Sequence, residues 1–250
     1  WNLQRHIPQI VTSQTDRQAS DLRPGDLDAD PNTRLLARAP RFRLPAEFIR
    51  DNALDLAGLL LRDEMGGPGV KPYQPPGLWA EVGLGGNPKF VQDHGEKLYR
   101  RSLYTYWKRS APPPAMQIFD APTRETCVLK RPVTNTPLQA LAAMNDVQMI
   151  EASRHFAERI LEEGGQTPET RAGFAFESAT AREPNSRELS ALLDVYRDSL
   201  ERYRARPEMA TDLLSAGESK RDESLDAADH AAWTLVASLV LNLDEVLNRN

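Results

Sequence analysis

Cysteine is nearly absent from this chain. Cys127 is the only one in 250 residues, so no intrachain disulfide can form. A Cys-x-x-Cys-His motif is missing as well, which excludes covalent haem attachment within these residues. No apolar run approaches the ~18 residues of a membrane-spanning helix. The most apolar stretch, residues 231–243, is too short and is followed by Asp244. Positive charge is not in excess either. The formal net charge is -5, so the global basicity of a nucleic-acid binder is lacking. Histidines are few: His6, His94, His155 and His230 share no helical ligand spacing, and a zinc site has no support. Cys127 has no neighbouring histidine, and Ser102 and Ser110 lack a nucleophile-elbow context. Gly83-Leu84-Gly85-Gly86 follows no clear strand and reads as a flexible loop, not a dinucleotide fingerprint. An initiator methionine is also missing. The chain opens on Trp1-Asn2-Leu3 inside a helical pattern, and the expectation is an N-terminally truncated piece of a larger protein.

What is present is ordinary for a sizeable core: 40% hydrophobic and 27% charged residues. Leu3, Ile7, Ile10 and Val11 form a helical stripe interrupted by Pro8, which should kink or shorten the helix. Residues 20–43 are turn-rich, then basic. Pro45 at a first turn opens a helix predicted over 45–62. Residues 66–99 are rich in glycine and proline, with one short turn expected around Leu78–Val82. Residues 102–107 favour a short strand, and residues 111–114 a polyproline II segment. Thr136-Pro137 starts a short helix, Asp146 caps a helix over 147–163, and Thr167-Pro168 starts another. Asn185 with Glu188 resembles a capping box for a helix over 186–202. Residues 205–224 read as a solvated loop, and a final helix is expected over 225–241. The fold class is mostly α: a single helical domain over 1–250, with a loop-rich subregion at 66–136, a helical subregion at 137–250 and at most a minor β element.

Two constellations carry candidate chemistry. Glu47, Arg50 and Asp51 share one helix face. Their carboxylates could form an acid/base pair or hold a metal, or form a salt-bridged face with Arg41 or Arg43 folding back. The second reading is the expected one. Between Arg100 and Arg131 lie seven basic residues, with Tyr104, Tyr106, Trp107 and Phe119 interleaved. That mixture could grip a sulfated polysaccharide by charge and ring stacking. The plainer reading packs the rings into the core and uses the arginines as loop ties. Asp120, flanked by basic stretches, is expected to bond Arg109, Arg131 or backbone amides and to set the path into the Thr136 helix. Gln139 and Asn145 complete the candidate set.

Several segments carry a resemblance: DPNTRLLARAPRFRLPAEFIRD (30–51), EMGGPGVKPYQPPGLW (64–79), YRRSLYTYWKRSAPPPAMQIFDAPTRETC (99–127), TNTPLQALAAMND (134–146) and WTLVASLVLNLDE (233–245). The chain resembles domain of unknown function 1553, a planctomycete-type surface-associated domain. The resemblance implies a large exported parent protein, periplasmic or at the cell surface. It implies upstream partner domains and, in some members, a cytochrome-c-like module. No cofactor is expected in this segment; haem would sit elsewhere in the parent. Where the family has Ser-Ala-Thr-Tyr-Arg-Gln, this chain has Asp16 in place of the aromatic. The expected role is non-catalytic binding or scaffolding, toward a surface glycan or a domain of the same protein. The rivals are a carboxylate-using polysaccharide hydrolase and an accessory module of a cytochrome-linked redox protein.

Overall fold

The computed structural model describes residues 2–20, 22–36, 38–80 and 89–249. The Gly83 loop and the end of the turn expected at Leu78–Val82 lie outside them. Among the described residues the fold is mostly α, with eleven helices and a two-stranded sheet. The chain divides into two units, residues 1–44 with 247–250, and residues 45–246.

The first unit holds α1 (Leu3–Val11), α2 (Asp26–Ala29), and strands β1 (Phe42–Arg43) and β2 (Asn248–Arg249). Asn2 caps α1 by accepting from the Arg5 amide, and the helix runs through Pro8 to Val11. The strands pair antiparallel, Phe42 against Arg249 and Arg43 against Asn248. Asp16 pairs with Arg249.

In the second unit, α3 (Ala46–Leu56) and α4 (Pro114–Ile118) precede the helices α5 (Pro137–Asn145) and α6 (Val147–Glu163). Then come α7 (Pro168–Thr180), α8 (Ser186–Ala205), α9 (Pro207–Leu214) and α10 (Ala227–Leu241), and α11 (Asp244–Leu247), whose last residue is counted with the first unit. The centre is α10, which packs on α6, α8 and α9. It buries Trp233, Val236, Ala237 and Val240, while α6 contributes Ala152, Phe156, Ala157 and Ile160. Local signals set several starts. Asp146 accepts from the Gln148 and Met149 amides at the head of α6, and Asn185 and Glu188 close a capping box on α8. Pro137, Pro168 and Pro207 each occupy a first turn, where the missing N–H costs nothing.

Four expectations are corrected. The helix predicted over 45–62 stops at Leu56, because Gly58 takes φ +73° and both Leu59 and Leu60 amides return to the Leu54 carbonyl. Residues 102–107 are not a strand: Ser102–Tyr104 is a 3-10 turn whose close bonds Thr105 N to Ser102 O. The proline run gives way to helix at Pro114, which becomes the first residue of α4. Residues 205–224 are not all solvated loop, since α9 buries Ala210 and Leu214 under Ala231 and Ala232.

Candidate functional site

Arg50 organises the middle of the second unit. It projects from α3 and is almost fully buried. Its Nε donates to Gln148 Oε1 (2.6 Å) and Nη2 to the Leu98 carbonyl (2.6 Å). Nη1 donates to the Arg100 carbonyl and to Ser102 Oγ, each at 3.0 Å. One planar fork therefore joins α3, the 98–102 turn and the start of α6. Burial pushes the guanidinium down to about 10, opposed by the charges of Asp51, Asp146 and Glu151.

The neighbouring carboxylates go separate ways. Glu47 takes a two-pronged bond from Arg131, at 2.6 and 3.2 Å. Burial would raise its carboxyl, but the Arg131 guanidinium holds it below its ordinary value. Asp51 accepts from the Ser102 amide (2.8 Å) and lies 3.5 Å from Arg50. Arg43, read as a partner for this face, lies on β1 in the first unit.

Asp120 sits at φ +61° and accepts from the Thr134 amide (2.7 Å) and hydroxyl. Gln139 is buried and donates to the Ile118 carbonyl (2.8 Å) and to Thr134 Oγ1 (3.0 Å). Of the partners foreseen for Asp120, a backbone amide is the one found. Arg109 instead faces Glu125 (3.4 Å), and Arg131 faces Glu47.

The aromatic segment packs less than expected. Phe119 is buried, but Leu103 is 72% and Tyr106 45% exposed. The reason is the 3-10 turn, which turns Ser102 and Thr105 inward instead. Trp107 is half-buried, and its Nε1 donates to the Thr123 carbonyl (3.0 Å). Cations lie over the rings: Arg100 over Tyr104 (4.0 Å), Arg124 over Trp107 (4.6 Å) and Lys71 over Tyr106 (5.4 Å).

Two features had no forewarning in the sequence. Glu151 of α6 is fully buried. Its Oε1 accepts from Tyr99 Oη, the Glu218 and Ser219 amides and Ser219 Oγ, at 2.6–2.8 Å. Gly217, at φ +83°, allows this approach, because a Cβ there would lie 2.3 Å from Glu151 Cδ. Burial, then the hydrogen bond to Glu151, pushes Tyr99 up to about 12. The second feature is an apolar groove of about 300 Å³ among α3, α4, α5 and the start of α6. Ile49, Pro72, Met116, Phe119, Leu141 and Met149 line it, together with the candidates Arg50 and Asn145.

Three of the histidines meet protein partners. His94 meets Glu218 (2.6 Å), His155 meets Glu158 (2.9 Å), and fully buried His230 meets the Arg154 carbonyl (3.1 Å). Among the described residues no cluster of His, Cys, Asp and Glu could hold a metal, and no helix is long and apolar enough to cross a membrane. A model of the family PSD1, protein of unknown function (DUF1553), matches residues 1–196. Neither the curated proteins nor the solved structures contain a match.

Proposed function

We propose that this chain, which belongs to the PSD1 family of proteins of unknown function (DUF1553), is a non-catalytic scaffolding domain that binds another domain of its own parent protein. The observation that carries this is the dispersal of Glu47, Asp51 and Asp120 into three separate ties, to Arg131, to the Ser102 amide and to Thr134. A glycoside hydrolase needs two carboxyl groups flanking one bond, with one of them raised to act as an acid. Glu47 is shifted the opposite way. A sugar-stacking role is less favoured because cations already cover a face of Tyr104, Tyr106 and Trp107. Apolar side chains stand exposed along the chain on both sides of the Glu47–Arg131 bridge: Phe48, Val128, Leu129 and Val133. Such residues suit a protein partner better than a glycan. Export to the periplasm or cell surface, and a haem-bearing module upstream, belong to this proposal and rest on the family resemblance.

The test is titration of this chain with the rest of the parent protein. Saturable binding is expected, weakened at least about tenfold by Leu129→Asp combined with Val133→Asp. Release of reducing ends from a panel of sulfated and unsulfated polysaccharides, abolished by Asp120→Asn, would overturn the reading in favour of a hydrolase.

A further inference from the structure

The groove among α3, α4, α5 and α6 is lined by two side chains with an oxygen left to meet a ligand: the buried Thr105 Oγ1 and the more open Asp146 Oδ2. Asp146 receives both of its amide bonds, from Gln148 and Met149, on Oδ1. Among the described residues its Oδ2 has no hydrogen-bond partner, although Asp146 lines the groove. Thr105 also lines it, is 5% exposed, and has a buried Oγ1 with no partner among the described residues. Buried polar atoms are rarely left this way without a ligand or water to complete them. The surrounding wall is apolar, built from Ile49, Met116, Phe119, Leu141 and Met149. An apolar pocket with a few convergent polar groups, at the small end of the usual volume range, is the ordinary form of a small-molecule site.

Charge decides the kind of head group. Arg50 is the guanidinium beside Asp146, and its donors are directed to Gln148, Leu98, Arg100 and Ser102. Three carboxylates, Asp51, Asp146 and Glu151, act on that one cation. Arg50 and Asp146 are the charged side chains that line the groove; the Arg50 donors are spent on the protein while Asp146 Oδ2 is open, so a cationic donor is accepted more readily than an anion.

We propose that this groove binds a small molecule with an apolar body and a protonated amine, the amine donating to Asp146 Oδ2 and the body lying against Met116, Phe119 and Leu141. Thr105 Oγ1 offers a second polar contact within the same space. The site does not depend on the scaffolding reading and uses none of the apolar residues beside the Glu47–Arg131 bridge.

The experiment is calorimetric titration of the 250-residue chain with 2-phenylethylammonium, 2-phenylethanol and 3-phenylpropanoate. The ammonium compound should bind at least about tenfold more tightly than the alcohol, the size of one charge-assisted hydrogen bond, and the carboxylate should bind worst. Asp146→Asn keeps a competent helix cap, so the variant should fold. It should remove the preference for the amine while leaving the alcohol nearly unchanged. Ala142→Trp, which fills the groove from α5, should weaken both. Equal binding of amine and alcohol, an amine affinity unchanged in Asp146→Asn, or no binding of the amine at about 10 mM would overturn the assignment. So would binding of a lysine-bearing apolar peptide without binding of the small amine, which would give the groove to a polypeptide.

Discussion

Replacing Arg50 with methionine tests whether one buried side chain holds the loop-rich middle in place. Methionine has about the right volume and flexibility to fill the vacated stem path. The guanidinium makes four hydrogen bonds, to Gln148, Leu98, Arg100 and Ser102. The Leu98 carbonyl would keep a second donor, Gln148 Nε2 at 2.9 Å. The Ser102 hydroxyl can rotate and donate elsewhere. Gln148 Oε1 and the Arg100 carbonyl lose a charged donor, at about 1–3 kcal/mol each. Asp51 also loses its nearby cation. Against this, the variant no longer has to desolvate a guanidinium. Breaking one side of a buried charged network usually costs about 3–5 kcal/mol net, and that is the expected loss. For a unit of this size it lowers the thermal midpoint by roughly 6–20 °C. Calorimetry with near-ultraviolet circular dichroism would measure it. Arg50→Lys should fall in between, because a point charge cannot form the fork. A loss under about 1 kcal/mol in the methionine variant would refute the reasoning. So would a lysine variant as stable as the wild type, since charge alone would then suffice.

Gly217→Ala should cost at least about 2 kcal/mol in urea unfolding, since it combines a left-handed φ with a Cβ driven into Glu151. Gly77→Ala, at φ +86° in open space, should cost only about 1 kcal/mol; equal losses would show that the Glu151 contact is unimportant. Trp107→Ala should cost about 1–2 kcal/mol, less than a core tryptophan, because the ring is half-buried and tied by one hydrogen bond and one stacked arginine. Glu188, bonded to Arg182 at 2.7 Å, is held down to about 2 from an ordinary 4.5. Its carboxylate stabilises the fold above about pH 4.5, and that contribution disappears as pH falls toward 2. Glu188→Gln should therefore flatten the acid limb of a stability–pH curve, and an unchanged limb would show that the bridge contributes nothing.

The parts of the fold legible in the sequence are those with local causes. Asp146 and Gly164 bracket α6, and the helix expected over 147–163 has those bounds. Asn185 and Glu188 mark the start of α8 in the same way. The helix α9 escaped because Ala210 and Leu214 fill only one side of two turns among charged neighbours, and alanine is a weak periodic signal. The candidate site was legible as residue types but not as pairings. Glu47, Arg131, Asp120 and Gln139 do form ties, yet which meets which depends on how residues 120–136 cross the helices. Thr105 and Asp146 read as part of a short strand and a helix cap; their place in one groove is created by packing alone. Glu151 looked like any acid on an amphipathic helix. Its burial depends on partners 52 and 67 residues away, beyond the reach of any window.

The nest at Glu151 has a consequence for hydrogen exchange. Glu218 and Ser219 belong to a segment between α9 and α10 without regular structure, where amides normally exchange within moments. Here both amides point at a buried carboxylate oxygen that also holds Tyr99 Oη from the other side. Neither can meet solvent catalyst until α6 and the segment separate. Two loop amides should therefore report the opening of the helical core with helix-like protection factors, while Ser224, bonded only to nearby Asp222, exchanges fast. The loop is irregular in shape but belongs to the cooperative unit of α6.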